Sequence, residues 1–318
     1  MGKTRAKAIE NNQLGQVVGI YDVNLNDSEQ YDYPVYASEA ALLEDPNIDA
    51  LFICTPNYRI VPLCKASLEA GKHVFSEKPP AFNAAEIEEV RAVEARSGKK
   101  LMYGFNHRHH GSIQKMKHIV DEGSMGKILW MRGRYGKEVD ETYFEGWRAD
   151  PKLAGGGIML DQGIHMLDLF LYFAGEFDEI HSLVSNLLWK TESLEDNVFA
   201  IMKNSTSGVC ASLHSTMTQW RYLFSLEIFL ERGALILNGL KTSSGVYGDE
   251  SLAIKYNTSN RAQGSFESEE NLTYHTDHSW DEEIRTFFHA INSGSEIKLG
   301  NSTDALTLMK AMDRIYGR

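Results

Sequence analysis

IDALFICTPNYRIVPLCKASLEAGKHVFSEKPP, residues 48–80, decides the fold of this chain. IDALFICTP is a near-continuous apolar run of strand length, the pattern of a strand buried on both faces of a sheet. PLCKASLEAG reads as a helix closed by Gly71, a favoured residue just past a helix end. KHVFSEKPP is the next strand. A strand–helix–strand unit predicts a parallel sheet, and the same rhythm extends both ways. Upstream, KTRAKAIENN (3–12) is helical, QVVGIYDVN (16–24) reads as a strand, and SEAALLEDP opens a short helix at Ser38 that stops before Pro46. Downstream come the helix NAAEIEEVRAVEARSG (83–98) and the strand KLMYGFNHR (100–108). The first hundred residues therefore predict a doubly wound parallel α/β sheet with helices on both faces.

The rhythm breaks near Asn106. A helix, SIQKMKHIVDEG, and a strand, KILWMRGRYG, precede the polar segment KEVDETYFEGWRADPKLAGGG (137–157) and the helix IMLDQGIHMLDLFLYFAG (158–175). From Asp178 to about Lys255 the pattern is mostly strands (VFAIMKN, GVCASLHST, YLFSLEIFLER, GALILNG), which predicts a large, mostly antiparallel sheet covered on one face by helices. Two helices, WDEEIRTFFHAINSG and TDALTLMKAMDRIYGR, end the chain. The expected division is 1–105 and 106–302, with the final helix 303–318 packing near the first domain.

With 318 residues, 42% of them hydrophobic and 24% charged, the chain suits two globular domains. Its net charge of −12 argues against nucleic-acid binding, which needs a basic surplus to replace phosphate counterions. Cys54, Cys64 and Cys210 are odd in number and widely spaced, which points to free thiols in a reducing, cytoplasmic setting. The apolar stretch LDLFLYFA (167–174) is too short to span a bilayer.

Asp22 ends the stretch QVVGIYD, twenty positions after Gly2. An acidic residue at about that distance from a glycine fingerprint accepts hydrogen bonds from the adenosine ribose in dinucleotide folds, and its charge disfavours the extra phosphate of NADP. Taken alone, Asp22 is better read as a turn aspartate after a strand. SEKPP (76–80) lies at the carboxyl end of a parallel strand, where α/β sheets bind ligands, and Pro79 favours an extended Lys78 that aims its side chain outward. The competing reading is a solvated lysine.

AGGGIMLDQGIHMLDLF (154–170) carries the strongest local signal. Three glycines let the backbone pass close to a ligand. Asp161, His165 and Asp168 follow at i, i+4 and i+7, on one helical face that is otherwise apolar. A histidine beside carboxylates suits general acid–base chemistry. The alternatives are a core histidine satisfied by Asp161, or a metal site recruiting His107, His109 and His110 from NHRHH. Nothing in the spacing ties those groups together, and no metal is expected. Tyr135, Trp147, Arg148, Gln219 and Trp220 are aromatic and polar groups suited to a sugar ring, or else packing residues.

The order strand–Asp22, CTPN (54–57), LEAGKHVFSEKP (68–79) and GGGIMLDQGIHMLDL (155–169) resembles the Gfo/Idh/MocA family of NAD(P)-dependent sugar and inositol oxidoreductases. The resemblance covers essentially the whole chain. It implies a Rossmann domain followed by an α/β domain with a large, open, mostly antiparallel sheet that builds homodimers or homotetramers. It implies NAD rather than NADP, and a sugar, inositol or nucleotide-sugar substrate. Lys78 would contact substrate and the nicotinamide region, Asp161 would orient the substrate, and His165 would take the hydroxyl proton. Gly2, Asp22, Thr55, Pro56, Asn57, Glu77 and Lys78 would lie along the cofactor. Many relatives carry a histidine at Ile60, so a contact from there is lost. A typical family start reads GxGxMGKxRAxA, so Met1-Gly2 corresponds to the end of that fingerprint, and the first strand and first two glycines are expected to be missing from this sequence. A non-catalytic or cofactor-deficient binding relative is the alternative expectation.

Overall fold

The computed structural model describes residues 1–25, 32–191, 193–242, 247–257 and 268–318. The chain divides into two compact units, Met1–Gly104 with Trp280–Leu306, and Phe105–Ser279 with Thr307–Arg318. The division differs from an unbroken 106–302 domain, because residues 280–306 return to the first unit.

In the first unit, helix α1 (Gly2–Asn12) is followed by α2 (Glu39–Glu44), whose first turn is capped by Ser38 Oγ accepting from Ala41 N at 3.1 Å. Strands β1 (Ala50–Ile53), β2 (His73–Ser76) and β3 (Leu101–Tyr103) form a parallel sheet in the order β1-β2-β3. Helix α3 (Asn57–Glu69) joins β1 to β2, and α4 (Ala84–Ser97) joins β2 to β3. Asn83 caps α4, and Gly98 ends it with φ 66°, a conformation that costs glycine little. The segment 16–24 departs from its expected strand. It makes only an isolated bridge, Ile20 to Val35, because a strand needs a ladder partner and apolar composition cannot supply one. β1 is less enclosed than its sequence suggests, since Ile53 is buried while Ala50, Leu51 and Phe52 are half-buried.

Helix α8 (Ser279–Ser293) belongs with this sheet by its packing. Phe287 and Ala290 join Phe75 and Met102 in one cluster, with Phe52 against it. Ile284 packs with Ala8 and Ile9 of α1. Period-2 alternation points Leu51, Ile53 and Val74 to the opposite face.

The second unit starts with a 3-10 turn (Asn106–His109), helix α5 (Gly111–Glu122) and strand β4 (Ile128–Gly136). A short helix, α6 (Pro151–Ala154), precedes a π-helical turn (Met159–Gly163) that leads into α7 (Ile164–Ala174). Strands β5 (Glu179–Ser185), β6 (Asn197–Lys203), β7 (Cys210–Thr216), β8 (Leu223–Leu230), β9 (Gly233–Asn238), β10 (Glu250–Tyr256) and β11 (Glu269–Tyr274) follow. Helix α9 (Ser302–Tyr316) ends the chain, and its last turn is held in this unit by Arg314 donating to Phe177 O and Ser182 donating to Ile315 O. The eight-stranded sheet has the order β11-β10-β9-β8-β4-β7-β6-β5 and is antiparallel except for β4–β7. This is the large, mostly antiparallel sheet expected from the strand-rich half.

α7 covers one face of that sheet. Gly133 of β4 makes the close approach possible, since a Cβ there would overlap Met166 and sit 2.9 Å from Phe170. On the other face the register lines up Leu183, Phe199 and His214, and separately Trp130 with Phe229. Leu183, Phe199, Ile201 and Trp130 are exposed there. No helix among the described residues is long and apolar enough to cross a membrane.

Candidate active site

The second unit gathers its polar groups around the glycine run. Glu195, just before β6, explains how that run is shaped. Its buried carboxylate accepts from Gly157 N at 2.8 Å, Met159 N at 2.9 Å and Tyr316 OH at 2.8 Å. Burial raises its pKa above the ordinary carboxylate range, against the pull of these donors. A Cβ at residue 157 would overlap the Glu195 carbonyl oxygen, so only glycine fits. The turn opened by this contact is π-helical, a form that leaves more than four residues per turn and recurs at functional sites.

That turn sends Asp161, His165 and Asp168 to three different surroundings. Asp161 accepts from Lys137 Nζ at 2.7 Å and Tyr143 OH at 3.1 Å, and Arg148 Nε stands 4.0 Å from its other oxygen. Lys137 follows the end of β4, where its N–H donates to Thr216 O at 3.0 Å, and its ammonium lies 4.2 Å from the centre of the Tyr143 ring. With Trp147, these residues line a pocket of about 310 Å³. Burial, and then Asp161, push the Tyr143 phenol well above its ordinary range, so it stays protonated and donates.

His165 is buried with its ring stacked on His107, centroids 3.9 Å apart at 14°. The His107 ring is fixed at both nitrogens, by Asn106 Oδ1 at 3.1 Å and Tyr135 OH at 3.1 Å. Tyr135 is buried with Phe224 and Tyr247 at 5.2 Å each, and burial raises its phenol pKa well above normal. Its hydroxyl is bonded to His107, while Trp147 and Arg148 line the pocket. Asp168 is fully buried in a bidentate pair with Arg108, at 2.8 and 2.6 Å, and anchors α7 to the turn at 106–109. Gln219 donates to Arg221 O and Trp220 is exposed. His110 pairs with Glu250 at 3.1 Å. Among the described residues no group of three His, Cys, Asp or Glu side chains is placed to hold a metal ion.

In the first unit, Lys78 follows β2 and precedes Pro79 through a cis peptide bond. Glu77 departs from the expected cofactor contact. Its carboxylate is buried and accepts from Arg5 Nε at 2.6 Å, while Arg5 Nη1 donates to Glu283 at 2.6 Å. The guanidinium is sandwiched between Phe75 and Trp280, at 4.3 and 4.4 Å. Burial would lower the Arg5 pKa, but Glu283 and Glu77 outweigh it and raise it, so the charge persists. Gly104 makes room, since a Cβ there would lie 2.7 Å from Arg5 Nη2. Ile60 is wholly buried in the core. Cys54 is no nucleophile, because burial pushes its thiol up to about 12.

The remaining cofactor-side residues suit a dinucleotide. Thr55 has a buried hydroxyl oxygen without a hydrogen-bond partner. α1 and α3 both begin without a side-chain cap, at Met1-Gly2 and Pro56-Asn57. Gly2 has open space where a Cβ would stand. Asp22 is exposed and accepts from Asn24 N at 2.8 Å, a turn role that leaves a second oxygen for a ribose hydroxyl.

Comparison with known proteins identifies the family of the chain. Residues 1–105 match the family model described as an oxidoreductase family with an NAD-binding Rossmann fold, and residues 113–236 match the GFO/IDH/MocA C-terminal domain. The chain is 31% identical over 147 residues to levoglucosan dehydrogenase of Pseudarthrobacter phenanthrenivorans, covering 46% of this chain and 38% of that protein. It is 28% identical over 223 residues to myo-inositol 2-dehydrogenase of Thermotoga maritima, covering 68% and 64%. The matched part thus spans less than two thirds of either relative. The solved structure of levoglucosan dehydrogenase with NADH and levoglucosan superposes with a TM-score of 0.84 over 100% of this chain and 94% of that one, at 20% identity, a likeness of fold. With both of its domains matched by that family's models, the chain belongs to the GFO/IDH/MocA family of oxidoreductases.

Proposed function

We propose that the protein is an NAD-dependent dehydrogenase acting on a secondary hydroxyl of a sugar or polyol. The observation that carries this reading is the division of labour around the π turn, with a carboxylate in a polar pocket and a buried histidine four residues on. Oxidising a secondary alcohol releases one proton and one hydride. His165 accepts the proton, and its ring is oriented by the stacked His107. Asp161, fixed by Lys137 and Tyr143, accepts a hydrogen bond from a substrate hydroxyl and sets the ring's orientation. By family resemblance, Lys78 supplies the cation that contacts the substrate. Gly2, Asp22, Thr55, Pro56 and Asn57 would hold NAD, which when bound takes up the hydride at its nicotinamide ring. Glu77, directly before Lys78 in the sequence, has its carboxylate held by Arg5.

The free thiols of Cys54, Cys64 and Cys210 support a reducing, cytoplasmic setting. The exposed apolar face at Leu183, Phe199, Ile201 and Trp130 supports a homodimer or homotetramer built through the large sheet.

The test combines NADH binding by fluorescence with NADH formation on inositols, free sugars and nucleotide sugars. His165→Ala is expected to abolish turnover while NADH still binds. Unchanged turnover removes His165 from the role. Tight NADH binding with no oxidation of any sugar favours a non-catalytic relative.

A further inference from the structure

Gln162 stands between Asp161 and His165 in the chain, and its side chain begins a line of polar contacts that leads back to His165. Its amide nitrogen donates to the Tyr247 hydroxyl. The Tyr247 and Tyr135 ring centres are 5.2 Å apart. Burial, and then Tyr247 by charge and by a hydrogen bond, raise the Tyr135 phenol well above its ordinary range, so it keeps its proton. Tyr135 OH lies 3.1 Å from His107 Nε2, and His107 Nδ1 lies 3.1 Å from Asn106 Oδ1. Asn106 Nδ2 donates to Ser279 Oγ at 3.1 Å. His165 stacks on the His107 ring with centroids 3.9 Å apart.

The chemistry of the links gives this line one direction. An amide N–H can only donate, so the Tyr247 oxygen accepts from Gln162 and its hydrogen turns to Tyr135. The Tyr135 hydrogen is then left for His107 Nε2. A ring nitrogen that accepts carries no proton, so the imidazole proton sits on Nδ1 and goes to Asn106 Oδ1. With its oxygen on His107, the Asn106 amide presents its nitrogen to Ser279, so the far end of the line agrees with the near end. Tyr247, Tyr135, His107, Asn106 and Ser279 are all buried, where hydrogen bonds in series polarise one another.

We propose that this one-way chain fixes His107 in its Nδ1–H tautomer, and that Gln162, Tyr247, Tyr135 and Asn106 are positioning residues for His165, which stacks on the ring they hold. The catalytic consequence rests on the dehydrogenase reading; the tautomer does not. The turn that carries Asp161 is thereby tied to the ring beside His165 through Gln162, and the two acting groups are set relative to each other by side chains from the glycine turn, β4, the 106–109 turn and residue 247.

Nitrogen-15 NMR of the full chain with labelled histidine reads the proton position on each imidazole at neutral pH, and loss of signals in His107→Gln identifies those of His107. A proton on Nδ1 and none on Nε2 is expected. Tyr135→Phe removes the donor to Nε2, and the proton is then expected to spread over both nitrogens. Tyr247→Phe, one link further away, should show the same change in part, and it serves if Tyr135→Phe does not fold. Tyr222→Phe removes a hydroxyl from a ring 5.0 Å from Tyr247 but outside the chain, and should change nothing. A wild-type His107 protonated on Nε2, or the wild-type pattern retained in both Tyr135→Phe and Tyr247→Phe, overturns the proposal. On any sugar or polyol that the wild type oxidises, Tyr247→Phe should lower kcat roughly tenfold and leave KM within about twofold. An unchanged kcat in a variant whose tautomer has moved overturns the positioning role. A wild type that oxidises no sugar defeats the dehydrogenase reading, and the imidazole spectrum still decides the chain.

Discussion

Replacing Arg5 by methionine removes the cation that two buried carboxylates share. Arg5 is 1% exposed, and it bonds Glu77 and Glu283 at 2.6 Å each. Methionine fills much of the same volume between Phe75 and Trp280, so the loss is chiefly electrostatic. Removing one partner of a buried ion pair costs about 3–5 kcal/mol, because the charge left behind has neither water nor a counter-ion. With a urea slope of about 1–3 kcal/mol per molar, the midpoint for the first unit falls by about 1–5 M. The triple variant Arg5→Met, Glu77→Gln, Glu283→Gln removes all three charges and should regain much of the loss, since apolar or neutral replacement of a whole buried cluster is often tolerated. Urea unfolding followed by circular dichroism and by fluorescence measures each step. A single-variant loss below about 1 kcal/mol, or a triple variant no more stable than Arg5→Met, refutes the account.

Lys137→Met takes the closest donor from Asp161, and kcat/KM is expected to drop roughly ten- to a hundredfold, the worth of one charged hydrogen bond; steady-state kinetics showing no change would exclude Lys137 from the site. Gly157→Ala forces a methyl into the Glu195 backbone and should cost about 1–3 kcal/mol, whereas Gly146→Ala, with open space at its Cβ, should leave the thermal midpoint within a degree or so of wild type; equal melting of the two contradicts this. Glu250 titrates below its ordinary 4.5, since burial pushes it up but His110, Ser112 and the Lys241 N–H together pull it further down. Its stabilisation is therefore present above that value and lost as pH falls through the lower folded one. Glu250→Gln should flatten the fall of the thermal midpoint in that acid window, and an equally steep fall would show that other groups carry it.

The helices were legible because periodicity and glycine stops are local signals. Gly98 and Gly123 end α4 and α5 with φ of 66° and 68° where the sequence places the stops. Strand pairing is not local, which is why QVVGIYDVN has strand composition without strand structure. Lys78, Asp161 and His165 were named from motif context, but the residues that pack around them were not. Glu195 acts on residues 36 and 38 positions earlier, Arg5 reaches Glu77 across 72 and Glu283 across 278, and no spacing rule reaches that far. Lys137 had a weak signal, as a lysine directly after the strand RGRYG, and it became informative only once Asp161 lay beside it.

Asp161 and His165, on one face by the α-helical wheel, meet different surroundings across the π turn. In an α-helix residues i and i+4 lie only about 40° apart, so Asp161 and His165 would share one environment and compete for one partner. In the structure Asp161 lies in the π-helical turn Met159–Gly163 and His165 in α7, and the two side chains reach different partners. Asp161 turns to the Lys137 and Tyr143 pocket, while His165 turns to the His107 ring. The turn is held open by two contacts with no tolerance for a larger residue. Gly157 sits against the Glu195 backbone, and at Gly163 a Cβ would lie 2.8 Å from Ser215 Oγ of β7. The glycines of AGGGIMLDQG are therefore required less for closeness to a ligand than for fitting this wide turn between β6 and β7.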